Sequence, residues 1–341
     1  MDALRANSTL QGGKYRIIEK LGQGGFGITY LAEGTLLEGK VAIKEFFFEE
    51  CCKRDDSTCN VMTIPVWCYR EIVERSKQKF IKEARTIFSL NHPNIVRILD
   101  VFEENGTAYY VMEYIDGESL GDMVKRRGGI SEAEALGYVK DVASALEYIH
   151  SKNINHLDIK PGNLMKGNED GRIIVIDFGV AKQYDAVTSE GTTTTPVGIS
   201  HGYSPVEQYS KNGVQTFSPQ SDVYALAATL FKLLTGNTPP GAIEILSEGF
   251  PVAELLENYI SRPVIFAIAM AMKGRHERTQ SVTEFVSNLS RGCIEESEWT
   301  EVFSALTESE EKAKVNRKRK RLWTVAVVVA IVVILLMIFF Q

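Results

Sequence analysis

Positive charge is in short supply along this chain: 38 Lys and Arg stand against 44 Asp and Glu, a formal net charge of −6. No overall field draws such a molecule to nucleic acid, and no nucleic-acid partner is expected. Cysteine is scarce as well, with 5 in 341 residues, and four of them (Cys51, Cys52, Cys59, Cys68) fall in one short stretch. Structural zinc sites come as C-x₂₋₄-C pairs, which this spacing does not supply. Reduced structural thiols are the simplest reading, with zinc or disulfides as minor alternatives. The first ten residues hold no apolar run, so no secretory signal peptide is expected. Internal repeats are absent too. What is present is 44% hydrophobic and 24% charged residues, an ordinary globular composition with enough apolar side chains for a sizeable core.

Chemistry concentrates in the middle of the chain. His156-Leu157-Asp158-Ile159-Lys160-Pro161-Gly162-Asn163 brings a carboxylate, an ammonium and a carboxamide within six residues. Asp177-Phe178-Gly179 follows with a second carboxylate beside a glycine. Phosphoryl transfer needs this inventory: a group to orient a hydroxyl, a cation for the migrating phosphoryl, and oxygen ligands for Mg²⁺. Upstream, Gly22-Gln23-Gly24-Gly25-Phe26-Gly27 fits G-x-G-x-x-G, and Val41-Ala42-Ile43-Lys44 follows. A dinucleotide-binding loop would run straight into a helix. Here Tyr15 to Leu21 and Ile28 to Ala32 read as short strands, so the glycines sit in a hairpin where backbone can approach phosphates. Any one aspartate or asparagine of this kind more often caps a helix or closes a turn. Their joint occurrence in this order argues against that.

Together these segments resemble the signature of the eukaryotic-type (Hanks-type) serine/threonine protein kinases, with Leu157 in the place of the arginine of H-R-D. The likeness covers roughly residues 13–290. It implies an α+β, bilobal protein-kinase fold: an antiparallel β-sheet N-lobe (about 13–114), a mainly helical C-lobe (about 115–290), and one nucleotide in a crevice between them. By resemblance, Leu21, Gly22, Gln23, Gly24, Gly25, Phe26, Gly27, Ile28 and Thr29 fold over ATP, with Ala42 beside it. Met112, Glu113 and Tyr114 meet the adenine. Lys44 holds the α- and β-phosphates and pairs with a helix glutamate, for which Glu83 is the candidate. Asp158 accepts the substrate hydroxyl's proton, Lys160 steadies the γ-phosphate, and Asn163 and Asp177 hold Mg²⁺, with Mn²⁺ as an alternative ion.

The resemblance extends to the C-terminal half. Gly202-Tyr203-Ser204-Pro205-Val206-Glu207 is similar to the A-P-E region, and Glu207 would pair with Arg278. Asp222 matches the aspartate that braces the catalytic loop from a buried helix, and Ser200 stands in the substrate-facing loop. Ser200 and Glu207 favour a protein substrate over a small molecule, and Lys160 favours Ser or Thr acceptors over Tyr. Self-association for autophosphorylation is compatible with this reading. A pseudokinase would normally have lost Lys44, Asp158 or Asp177. Leu157 departs from the family and cannot anchor a phosphorylated activation loop. Thr188, Ser189 and Thr192 to Thr195 remain candidate phosphoacceptors, yet activity is expected not to depend on a phosphate docking at residue 157.

Between Lys44 and Glu83 the chain carries an insert, about residues 46–69, which holds the four clustered cysteines. Helical periodicity marks Ser131 to Ser151, Ser221 to Thr235, Val264 to Met272 and Ser281 to Ser290, and a strand pair is expected at Ile95 to Phe102 and Thr107 to Glu113. The first of those helices carries Leu136, Val139, Val142, Ala143, Leu146 and Ile149 as one apolar stripe.

The C-terminus carries a different signal. Leu322 to Phe340 is free of charge and as a helix spans about 28 Å, near the thickness of a bilayer's hydrocarbon core. Arg317, Lys318, Arg319, Lys320 and Arg321 precede it, and the positive-inside rule keeps that cluster cytoplasmic. The expected organisation is a kinase domain (13–290), a juxtamembrane linker (291–321) and a single transmembrane helix (322–340), with no external sensor domain. The kinase would face the cytoplasm, and Ser204 to Tyr209 resembles bacterial members, pointing to a bacterial inner membrane.

Overall fold

The computed structural model describes residues 3–25, 27–35, 39–55, 57–178, 182–183, 199–209, 218–292, 295 and 299–300. Phe26, Gly179, the hydroxyls at 188, 189 and 192–195, the basic cluster and the expected membrane helix lie outside these residues. Among the described residues no helix is long and apolar enough to cross a membrane.

In chain order the first elements are β1 (Thr9–Leu10), β2 (Tyr15–Gly24), β3 (Gly27–Gly34), β4 (Gly39–Phe46), β5 (Cys52–Arg54), β6 (Val61–Thr63) and α1 (Tyr69–Phe88). Then come β7 (Ile98–Glu104), β8 (Thr107–Glu113), β9 (Gly117–Ser119), α2 (Leu120–Arg127), α3 (Glu132–His150), β10 (Ile154–Asn155), β11 (Leu164–Gly167), β12 (Ile173–Val175) and β13 (Lys182–Gln183). The rest is helical: α4 (Pro219–Thr235), α5 (Ala242–Glu248), α6 (Val252–Glu257), α7 (Arg262–Ala271) and α8 (Val282–Leu289).

Two units divide these elements. The first comprises Met1–Asp122, Ser144–His156 and Gly162–Ala181; the second comprises Met123–Ala143, Leu157–Pro161 and Lys182–Gln341. In the first unit a six-stranded antiparallel sheet runs in the order β1-β2-β3-β4-β8-β7. Ile17, Ile28, Tyr30, Ile43, Tyr109 and Val111 alternate onto one face and form its core with Leu10 and Phe47. Helix α1 packs beside β7 and β8 through Phe80, Ile81, Ala84 and Ile87, spaced three and four apart along one stripe. Strand β8 is buried through Thr107–Val111 because β4 and β7 flank it and both its faces are covered.

Strands β2 and β3 run further than their apolar residues suggest: the glycine motif itself pairs, Gly22 with Thr29 and Gly24 with Gly27. The insert forms a small hairpin, with Cys52–Arg54 paired to Val61–Thr63, and its cysteines are free thiols. Residue 95 is held outside β7 by an isolated bridge to Val175, so the strand begins at Ile98.

In the second unit α4 is buried on nearly every side, as an all-round apolar helix must be. Pro219 starts it, where a missing N–H costs nothing, and Gly236 ends it at φ 77°. Helices α6, α7 and α8 pack around that core, and Ser281 caps α8 by accepting from the Glu284 N–H at 3.1 Å. The four helices read from periodicity occur as α3, α4, α7 and α8, with ends shifted by one or two residues. Of the α3 stripe, Leu136 is only half-buried, and Ala135 is buried instead.

Candidate active site

Lys44 sits in β4 on the rung between Thr29 and Tyr110. Its alternation partner across the strand, Ala42, faces the same way and pairs with Met112 of β8. Lys44 Nζ donates to Asp177 Oδ1 at 2.5 Å and lies 5.9 Å from the Tyr110 ring centre. Burial alone would lower its pKa. Asp177, Tyr110 and Glu83 together outweigh that, Asp177 most of all, and the net shift is upward. The ammonium stays charged.

Asp177 follows β12 with φ 59°, a left-handed conformation uncommon for a side-chain-bearing residue. The residues beside it hold that turn in place. Ile176 N–H donates to the Asn163 carbonyl at 2.9 Å, and Phe178 is buried against the His156 ring at 4.6 Å.

The expected Lys44–Glu83 ion pair is not formed; Lys44 pairs with Asp177 instead. Glu83 lies on the sheet-facing side of α1, one turn from Phe80, and its Oε1 is buried without a hydrogen bond. Desolvation pushes its pKa up to about 8, against the pull of Lys44 and with the repulsion of Asp177. One cation serves two carboxylates here. Desolvation of the enclosed Glu83 carboxyl favours its neutral form, while Asp177 takes the direct bond from Lys44.

The glycine hairpin separates into two kinds of position. A Cβ on Gly27 would lie 2.7 Å from the Glu45 carbonyl, so close strand packing requires that glycine. A Cβ on Gly22, Gly24 or Gly25 would meet nothing within 4 Å. These three leave open space that side chains would fill, which fits a phosphate chain approached by backbone. Thr29 shares the Lys44 face. Ile28 does not: its side chain is fully buried in the core on the opposite face, so of the residues expected to touch ATP it can offer only backbone. Leu21 is exposed, Glu113 accepts from the Arg97 N–H at 2.9 Å, and Tyr114 lies under the Lys40 ammonium.

Asn163 and Asp177 offer a carboxamide and a carboxylate, hard oxygen donors of the type Mg²⁺ prefers. No group of three or more His, Cys, Asp or Glu that could hold a metal occurs among the described residues. A carboxamide and a carboxylate suit a divalent ion held by one or two protein ligands and completed by phosphate oxygens.

The second unit carries its own constellation. Asp158 accepts from Lys160 Nζ at 3.0 and 2.8 Å, one distance to each carboxylate oxygen, and from the Ser200 hydroxyl at 2.6 Å. Lys160 also reaches Ser200 Oγ at 3.0 Å, closing a triangle. The preceding residue, Leu157, is buried with φ 66°. Its N–H donates to Asp222 Oδ1 of α4 at 2.7 Å, and its carbonyl accepts from Gln208 Nε2 at 3.0 Å. Two buried anchors, one on each peptide flanking the Leu157 Cα, sustain a backbone conformation that leucine would not adopt unaided. Glu207 and Arg278, 71 residues apart, meet at 2.6 and 3.3 Å. Ser221 donates to the same carboxylate, and the guanidinium lies 5.0 Å from the Tyr224 ring centre.

Gln208 and Ser221 complete this framework without having been read from the sequence. Gln208 directly follows the A-P-E-like segment, but nothing in residue type or spacing marks it as an anchor.

The Protein kinase domain family matches residues 15–297. Over 242 residues the chain is 34% identical to Serine/threonine-protein kinase B of Synechocystis, covering 68% of this chain and 38% of that protein. Over 227 residues it is 36% identical to Serine/threonine-protein kinase PrkC of Bacillus subtilis, covering 67% of this chain and 31% of that protein. The chain thus spans about a third of the length of these curated relatives. Among solved structures, the chain described as "PpkA-294 apo form" aligns with TM-score 0.71 and 26% identity, covering 85% of this chain and all of that one.

Proposed function

This chain belongs to the protein kinase domain family, and from that premise we propose that it transfers the γ-phosphate of MgATP to Ser or Thr hydroxyls of protein substrates while tethered to the cytoplasmic face of a membrane. The observation that carries this reading is the Asp158–Lys160–Ser200 triangle: a carboxylate already accepting a serine hydroxyl at 2.6 Å, with an ammonium across both its oxygens. A substrate hydroxyl in the place of Ser200 Oγ would find the same proton acceptor. As the hydroxyl oxygen bonds to phosphorus, its proton passes to Asp158. The β–γ bridging bond breaks and its electrons leave with ADP.

Lys44, kept charged, would bind the α- and β-phosphates, and Lys160 would meet the charge on the transferring group. Asn163 and Asp177 would hold Mg²⁺, which when bound supplies positive charge to the phosphate oxygens. Gly22, Gly24 and Gly25 leave the backbone N–H groups open to phosphate.

Tethering is supported by the 19 uncharged residues from Leu322 to Phe340 after five consecutive basic ones, and bacterial relatives support a bacterial inner membrane. The test is purified protein with radiolabelled ATP and a generic protein acceptor. Asp158→Asn should lose at least about 10²-fold in transfer while binding ATP as the wild type does. Equal transfer by that variant would refute the role given to Asp158.

A further inference from the structure

The insert between Lys44 and α1 has no part in the chemistry above, yet it sends one charged side chain into the core of the sheet. Arg54 of β5 lies 2.6 Å from Glu45 Oε2, with the two side chains 2% and 0% exposed. Glu45 is the residue after Lys44 and faces the other way. Its carboxylate also accepts from Tyr30 at 2.7 Å and from Tyr109 at 2.7 Å. Tyr109 is its rung partner on β8, and Tyr30 is two residues from its rung partner Ile28 on β3. Tyr30 in turn accepts from the Leu4 N–H at 3.0 Å. Arg54 is held from behind, donating to the Cys59 carbonyl at 2.7 Å.

We propose that Arg54 is a positioning residue for Lys44, holding the central strand in the register that turns the lysine to the nucleotide face and its neighbour Glu45 to the core. The inference rests on the kinase reading and deepens it. Sheet side chains alternate with a period of two, so a slip of one residue would exchange Lys44 and Glu45 between the faces. An apolar residue at position 45 would oppose that slip through its own burial alone. A buried carboxylate tied to both neighbouring strands and to a guanidinium adds to that opposition, because leaving either charge unpaired in the core is costly. The insert thereby contributes to the ATP site from the opposite side of the sheet. It also flanks α1, the helix bearing Glu83: Cys52, Val61 and Thr63 share a cavity of about 130 Å³ with Arg70, Val73 and Lys77.

The test is MgATP affinity by calorimetry alongside melting temperature, on the full chain in detergent. Wild-type binding, measured first, tests the kinase reading itself; the variants test Arg54. Arg54→Met leaves Glu45 buried and unpaired and should lower both quantities. Arg54→Met with Glu45→Met removes both charges, and such apolar replacements commonly preserve stability. We expect that double variant to melt near the wild type yet bind MgATP about tenfold more weakly, a loss of about 1.4 kcal/mol. Arg54→Lys should lie between, since one ammonium cannot reproduce the fork to both Glu45 and the Cys59 carbonyl. Wild-type affinity in the double variant would overturn the proposal. So would affinity losses that simply track melting-temperature losses across the three variants.

Discussion

Replacing Arg278 by methionine should unfold the second unit's framework more than any other single truncation near the site. The guanidinium is 1% exposed and its partner Glu207 is 9% exposed. It makes two bonds to that carboxylate and one each to the Gln220 and Lys273 carbonyls. Methionine keeps most of the volume and the contact with Tyr224 but none of these bonds. Glu207 would then retain only Ser221 and a buried, uncompensated charge. Breaking a buried pair in this way costs about 3–5 kcal/mol, which for a domain of this size lowers the melting temperature by on the order of 10 °C. Removing both partners (Arg278→Met with Glu207→Leu) should recover most of the loss, giving a coupling energy of about 2–3 kcal/mol. Denaturant midpoints for the four proteins of this cycle measure it. A single-variant cost below about 1 kcal/mol would refute the reasoning, because it would mean that water reaches the pair.

The raised pKa of Glu83, about 8 against an ordinary 4.5, has a definite sign for stability. Between those values the native state keeps a proton that the unfolded state has lost, so stability falls as pH rises through that window. Glu83→Gln removes the titration and should flatten the fall; parallel midpoint curves for variant and wild type between pH 5 and 8 would contradict it. Deleting residues 322–340 should move the protein from the membrane fraction to the soluble one in fractionated cells, and retention in the membrane would exclude that segment as the anchor.

Much of the site was legible because phosphoryl transfer demands particular functional groups at short, fixed spacings, and His156 to Asn163 presents three of them in one run. The Glu207–Arg278 and Asp222 anchors, far apart in sequence, were legible only through resemblance. Burial decided what was missed. Residue types alone cannot say which of Glu83 and Asp177 bonds Lys44; the fold brings Asp177 within 2.5 Å of it and leaves Glu83 Oε1 without a hydrogen bond. Ile28 could have been placed by alternation, since it lies one residue out of phase with Thr29 and Lys44. The insert hairpin left a trace in Asp55, Ser57 and Thr58, residues suited to a turn, and Asp55 does accept from the backbone of both others. Nothing in the sequence signalled that Arg54 would reach Glu45.

At position 157 the rest of the molecule grips the polypeptide backbone as well as enclosing the side chain. Asp222 holds the N–H of that residue and Gln208 its carbonyl, contacts made by main-chain atoms alone. The carboxylate at 158 therefore takes its aim from a deeply embedded helix, and its predecessor must be a side chain that the core can enclose.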